Sequence, residues 1–209
     1  MLKKLFFFVF FINFFYISVI FGGDQYRKKD PNSLEDDARE KQLGFEHKYR
    51  DSAYVLNQKL IRYIELNQLD KIKIHIKENG KNLNFQVDGT NPFVYAAAIN
   101  NINVLKYFLS EAKIDINYED SLGNTALIKS SEKGNLEIVK FLINSGSNIN
   151  HQNKQGMTAA MKAAENDNYY VLKMFMEYNI DKNKSDYSGR TLQEIAESSR
   201  DKRLIKLFN

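Results

Sequence analysis

The sequence predicts an all-α solenoid: about five stacked helix–turn–helix units joined by short β-turns. Three observations carry this. Gly123, Gly156 and Gly189 stand 33 residues apart. Thr125, Thr158 and Thr191 keep the same step. Each threonine is followed by two apolar stretches at helical spacing, such as Ile138, Val139, Leu142 and Ile143, then Val171, Leu172, Phe175 and Met176. Helices of about two to three turns are too short to persist alone in water, so their apolar faces need neighbours.

Composition narrows the class further. With 43% hydrophobic and 27% charged residues over 209 positions, the chain has the make-up of a globular protein. Its net charge of +4 comes from 30 basic against 26 acidic residues, a balance too even to indicate nucleic acid as a partner. There is no cysteine, hence no disulfide, thiol nucleophile or cysteine-based metal site.

The first element is an export segment. Residues 1–23 place Lys3 and Lys4 before an uncharged apolar run from Leu5 to Gly23, the order that translocation machinery reads. The run approaches the length of a membrane span. Gly22 is small but Ile20 is bulky, which makes a poor cleavage site, so a removed signal peptide and a retained signal anchor both stay open. The chain is therefore expected in the periplasm, secreted, or held on the outer face of the membrane, touching the bilayer only through residues 5–23. Residues 24–54 mix both charge signs with few aliphatics and read as a linker, for which disorder is the first expectation and a helix from about Ser33 the alternative.

The array fills residues 55–209, in units of approximately 55–84, 85–117, 118–150, 151–183 and 184–209. The first fits the helical part without an opening turn. In the second, the step to the third is 34, with one extra residue in "SEAKIDIN". Ala96, Ala97, Ser130, Ser131, Ala163 and Ala164 are small enough to let successive first helices approach closely. The last unit reads as a cap, with Arg200, Asp201, Lys202 and Arg203 outward and Leu204, Ile205 and Phe208 inward.

Residues 120–150 supply Asp120, Gly123, Thr125, Leu127, Gly134, Val139, Leu142, Gly146 and Asn150 in one register. In this the chain resembles the ankyrin-repeat family over roughly residues 60–209. It departs from the family's TPLH tetrapeptide, reading NPFV, TALI, TAAM and TLQE. Asn179 replaces the closing glycine of the fourth unit, where a left-handed backbone is expected.

The resemblance implies a non-enzymatic module that binds a protein partner through turn tips and the concave face of the first helices. Carried over by position, the tips supply Val87, Asp88, Thr90, Ser121, Leu122, Asn124, Lys154, Gln155, Met157, Tyr187, Ser188 and Arg190. The first helices add Glu132, Lys133, Glu165 and Asn166. Met157 and Tyr187 are the expected anchors, being side chains enriched at interfaces. The array is expected to be monomeric. The alternative is an accessory or inhibitor of a separately encoded enzyme or toxin.

No catalytic constellation competes with this reading. His47, His75 and His151 are far apart, without HExxH or HxxxH spacing. No G-x-S-x-G elbow or phosphate-binding loop is present, and no cofactor or metal is expected. Asn183-Lys184-Ser185 is an N-glycosylation triplet, relevant to a eukaryotic secretory route.

Overall fold

Four pairs of α-helices and a ninth helix follow one another among the described residues, which in this computed structural model are 53–208 apart from Lys113. The chain divides into two units, residues 1–48 and 49–209, and the described residues belong to the second. The expected export segment and nearly all of the charged linker lie outside the described residues.

The pairs are α1 (Ala53–Glu65) with α2 (Leu69–Asn79), α3 (Pro92–Ala98) with α4 (Ile102–Glu111), and α5 (Ala126–Glu132) with α6 (Leu136–Asn144). Then come α7 (Ala159–Glu165) with α8 (Tyr169–Phe175), and α9 (Leu192–Ser198) followed by a 3₁₀ turn, Ile205–Leu207. The recurring threonine starts the first helix of its unit. The Thr125, Thr158 and Thr191 hydroxyls each accept a backbone N–H three residues on. Asn91 does this in the second unit, with Pro92 at the first helical position, where its missing N–H costs nothing.

Each helix pair is closed by one residue in the left-handed region: Asn67, Asn100, Gly134 or Asp167. These are the residue types that tolerate it best. The next residue is an asparagine at three of these turns, and its side chain ties its unit to the one before. Asn101 Nδ2 donates to Asn67 Oδ1, Asn135 Nδ2 to the Ala97 carbonyl, and Asn168 Nδ2 to the Ser131 and Glu132 carbonyls. The backbone carbonyls among these acceptors lie at helix C-termini, where the regular intrahelical partners run out; those of Ala97 and Ser131 also accept the N–H of Asn100 and Gly134.

The first helices stack in sequence, α1 on α3, α3 on α5, α5 on α7 and α7 on α9. Ala96, Ala97, Ser130, Ser131, Ala163, Ala164 and Ala196 are fully buried there, as their size requires. The two serines stay satisfied by donating back to the Leu127 carbonyl. From the second helices Ile72, Val104, Leu105, Phe108, Ile138, Val139, Leu142, Val171, Leu172 and Phe175 complete one continuous core.

The fourth unit corrects one expectation. Asn179 does not take a left-handed backbone, whereas Gly146 does. Here α8 stops at Phe175, and the chain leaves it through tight turns in which Tyr178 N–H meets the Phe175 carbonyl and Ile180 N–H meets that of Tyr178. A negative φ suffices on that path. At the far end Leu204 is buried, and the Asp167 carboxylate accepts from Ser199 and from the Arg200 and Asp201 backbone. Among the described residues no helix is long and apolar enough to cross a membrane.

Candidate protein-interaction surface

Between units the chain makes a tight hairpin. Asp120 N–H bonds the Asn124 carbonyl and Gly123 N–H returns to Asp120, with the same pattern at Asn153–Met157 and Asp186–Arg190. The first hairpin is one residue shorter. Val87 and Thr90 pair directly around Asp88 and Gly89, whose φ values of 51° and 80° are those of a type I′ turn.

The tips are joined in a row by backbone hydrogen bonds. Ser121 N–H donates to the Gly89 carbonyl at 2.8 Å, Lys154 N–H to Leu122 at 3.0 Å, and Tyr187 N–H to Gln155 at 3.0 Å. Each donor residue also lays its side chain over the preceding glycine. A Cβ at Gly89, Gly123 or Gly156 would fall within 3 Å of Ser121, Lys154 or Tyr187 respectively. Glycine is thus needed for both positive φ and the close approach. Leu122 and Tyr187 stand out of the row with 62% and 76% of their surface exposed.

Behind the tips the charges are paired. Lys129 meets Glu132 at 2.6 Å, Lys162 meets Glu165 at 2.8 Å, and Arg190 meets Asp186 at 2.8 Å while reaching toward Glu165 at 3.8 Å. Burial pushes the Asp186 carboxyl up. Hydrogen bonds from the Arg190 backbone and guanidinium and from Ser188 N–H outweigh it, and the carboxyl lies below its ordinary range. The surface is therefore rigid in backbone, nearly neutral in its helix portion, and apolar or aromatic at two tips.

The ankyrin-repeat family model matches three overlapping stretches, residues 60–153, 114–186 and 131–208. The chain is an ankyrin-repeat protein. No curated protein is similar enough to it to count as a relative.

Ankyrin repeats generally serve as protein-interaction modules, and in this one the expected contact residues divide into two groups. Asp88, Ser121, Leu122, Lys154, Gln155, Tyr187, Ser188 and Arg190 are exposed along the tips, as are Lys133, Glu165 and Asn166 on or beside the first helices; Thr90 and Glu132 are half-buried. Val87, Asn124 and Met157 are corrections, at 3%, 4% and 2% exposure. Val87 occupies the register of Asp120, Asn153 and Asp186, the hairpin base. Met157 and Asn124 share a register that points into the junction with the next unit. The Asn124 amide is used up between the Asp120 carboxylate and Asn153. All three side chains are turned into the structure, so Met157 is withdrawn from the surface, while the Tyr187 side chain stays exposed at its tip.

Two residues of the row were missed by position matching. Tyr54 OH and Gln58 Nε2 both donate to the Asp88 carboxylate, at 2.8 and 3.2 Å, so α1 flanks the first tip. Their signal was the i, i+4 spacing of two polar-ended side chains on one helix face. Among the described residues no group of three or more His, Asp or Glu side chains is placed to hold a metal ion.

Proposed function

We propose that this ankyrin-repeat protein is exported, either released or tethered through residues 5–23, and binds one partner protein through its row of tips and the adjoining first-helix face. It performs no chemistry of its own. The observation that carries this reading is the exposure of Leu122 and Tyr187 on tips that hydrogen bonding fixes in place. Large side chains presented on a rigid frame lose little entropy on binding, which is the usual character of an interface anchor. Mixed, internally paired charges around them form a polar rim.

The test compares three variants of the array, immobilised and offered to extracts from its own cells. A partner held by the native array and by Lys140→Gln, a change on a second helix, is lost with Leu122→Ser combined with Tyr187→Ser. Equal recovery by all three removes the tip row as the docking surface. The mass of the mature N-terminus decides between release and tethering. The second reading, an inhibitor of a separately encoded enzyme or toxin, predicts that the partner so captured is a catalyst whose rate falls on adding the array.

A further inference from the structure

We propose that Asn183 is the attachment site of an N-linked glycan, an inference that rests on the export reading and requires a eukaryotic secretory lumen. The argument comes from four asparagines in one register: Asn84, Asn117, Asn150 and Asn183. At the first three, the side-chain oxygen accepts the backbone N–H of a residue in the following unit. Asn84 takes Asp115 at 2.9 Å, Asn117 takes Asn148 at 2.8 Å, and Asn150 takes Asp181 at 2.8 Å. An amide held this way is clamped at a junction between units, and a sugar on its nitrogen would have to share that junction.

Asn183 repeats the backbone geometry without the clamp. Its N–H donates to Asp181 Oδ1 at 3.0 Å, as that of Asn150 does to Asn148 Oδ1 at 3.1 Å. Among the described residues nothing hydrogen-bonds its side chain, and it is exposed. It is also the one member of the register with a hydroxyl two residues on. The others read Asn84-Phe85-Gln86, Asn117-Tyr118-Glu119 and Asn150-His151-Gln152, against Asn183-Lys184-Ser185. Ser185 is exposed and engages through its carbonyl, which accepts from Gln152 Nε2, rather than through its hydroxyl. An open cleft of about 500 Å³, lined by Asn150, Asn179, Ile180, Asp181, Lys182 and Asn183, lies alongside and gives polar surface for the first sugar.

The donor is an oligosaccharide carried on a polyprenyl pyrophosphate. Nδ2 of Asn183 attacks the anomeric carbon and an N–C bond forms. The bond from that carbon to the pyrophosphate oxygen breaks, its electron pair leaves on the pyrophosphate, and one Nδ2 proton passes to the transferase's base. No oxidant or reductant is involved.

The full chain is expressed in a eukaryotic secretory cell, once with residues 1–23 and once with them replaced by a leader of established function. Lumenal or secreted material is separated by protease protection. The expected result is one mobility shift, removed by an N-glycan amidase that leaves Asp at position 183, absent from Asn183→Gln and Ser185→Ala, and kept by Ser185→Thr. The glycosylated and bare proteins melt at the same temperature, because no inter-unit bond is disturbed. Lumenal chain without a shift overturns the proposal, as does a shift that survives in Asn183→Gln. If only the replaced-leader chain is lumenal and carries the shift, the acceptor site stands and the export reading fails.

Discussion

At the scale of single residues, the hairpin base shows how one substitution is tied to its neighbours. Asp120, Asn153 and Asp186 share a register, and each cradles the backbone N–H groups of its turn. Only the middle one is an amide. Its Nδ2 donates to Asn124 Oδ1 at 2.7 Å, and Asn124 in turn donates to the Asp120 carboxylate. Replacing Asn153 by Asp sets a carboxylate against that oxygen, and Asn124 cannot turn over without abandoning Asp120. Asn153→Asp should therefore destabilise by about 1–3 kcal/mol although it restores the residue of the sister hairpins, read as the urea midpoint at neutral pH. His75 supplies a pH dependence. It is buried edge-on to Tyr63, with Lys59 and Lys71 over the same ring and Glu78 near by. Burial first and Lys59 second hold its pKa below the ordinary value, only partly opposed by Glu78. The folded state thus favours neutral imidazole. The associated stability is present above the ordinary histidine pKa of about 6.5 and is lost as pH falls through it. The native chain should lose melting temperature between about pH 7 and 5, a loss that His75→Leu reduces; an unchanged slope would place the charge-sensitive group elsewhere.

At the scale of elements, the hairpins test whether glycine is kept for conformation or for contact. Gly156 and Gly189 both have positive φ, 75° and 84°. A Cβ on Gly156 would sit 2.8 Å from both the ring and the backbone nitrogen of Tyr187, whereas one on Gly189 meets nothing within 4 Å. Gly189→Ala should cost only the left-handed penalty, about 1–2 kcal/mol. Gly156→Ala should cost clearly more and shift Tyr187, seen in its fluorescence and amide exchange. Equal costs would mean that the tip row is looser than its hydrogen bonds indicate. The same elements show what was legible in the sequence. The helix starts, the small-residue stack and the second-helix stripes followed from period and polarity, because Thr125, Ala163 or Leu142 each act within their own unit or on an apolar face. The asparagine bonds from Asn101, Asn135 and Asn168 were not legible, since a polar residue near a turn gives no sign of which carbonyl it reaches. Met157 and Asn124 were misplaced for a related reason. Neighbours along a hairpin alternate between solvent and junction, and a sequence match to within one residue cannot tell the two sides apart.

Over the whole molecule, stability resides in the junctions between units, so the outcome of a core deletion depends on where in the stack it falls. Leu142 and Leu204 are both fully buried leucines. Leu142 lies on α6, inside the third unit, with helix pairs on both sides. Removing its side chain should cost about 2–5 kcal/mol. Units that cannot stand alone then melt together, so Leu142→Ala should lower a single shared transition. Leu204 belongs to the end turn, which the described structure holds on one side only, through α9, the Asp167 carboxylate and the Arg203 guanidinium over the Tyr169 ring. Leu204→Ala should therefore release the end locally. Amide exchange would quicken from about Ser188 onward, beyond the last inter-tip bond at Tyr187, while α3 to α7 keep native protection. Uniform loss of protection in Leu204→Ala would show that the end is coupled as tightly as the middle, and the stack would then be one cooperative block rather than a chain of nearest-neighbour contacts. The distinction bears on binding. If the end releases locally, Tyr187 lies at the border of the part that loosens, and partner affinity should fall in Leu204→Ala although no tip residue has changed.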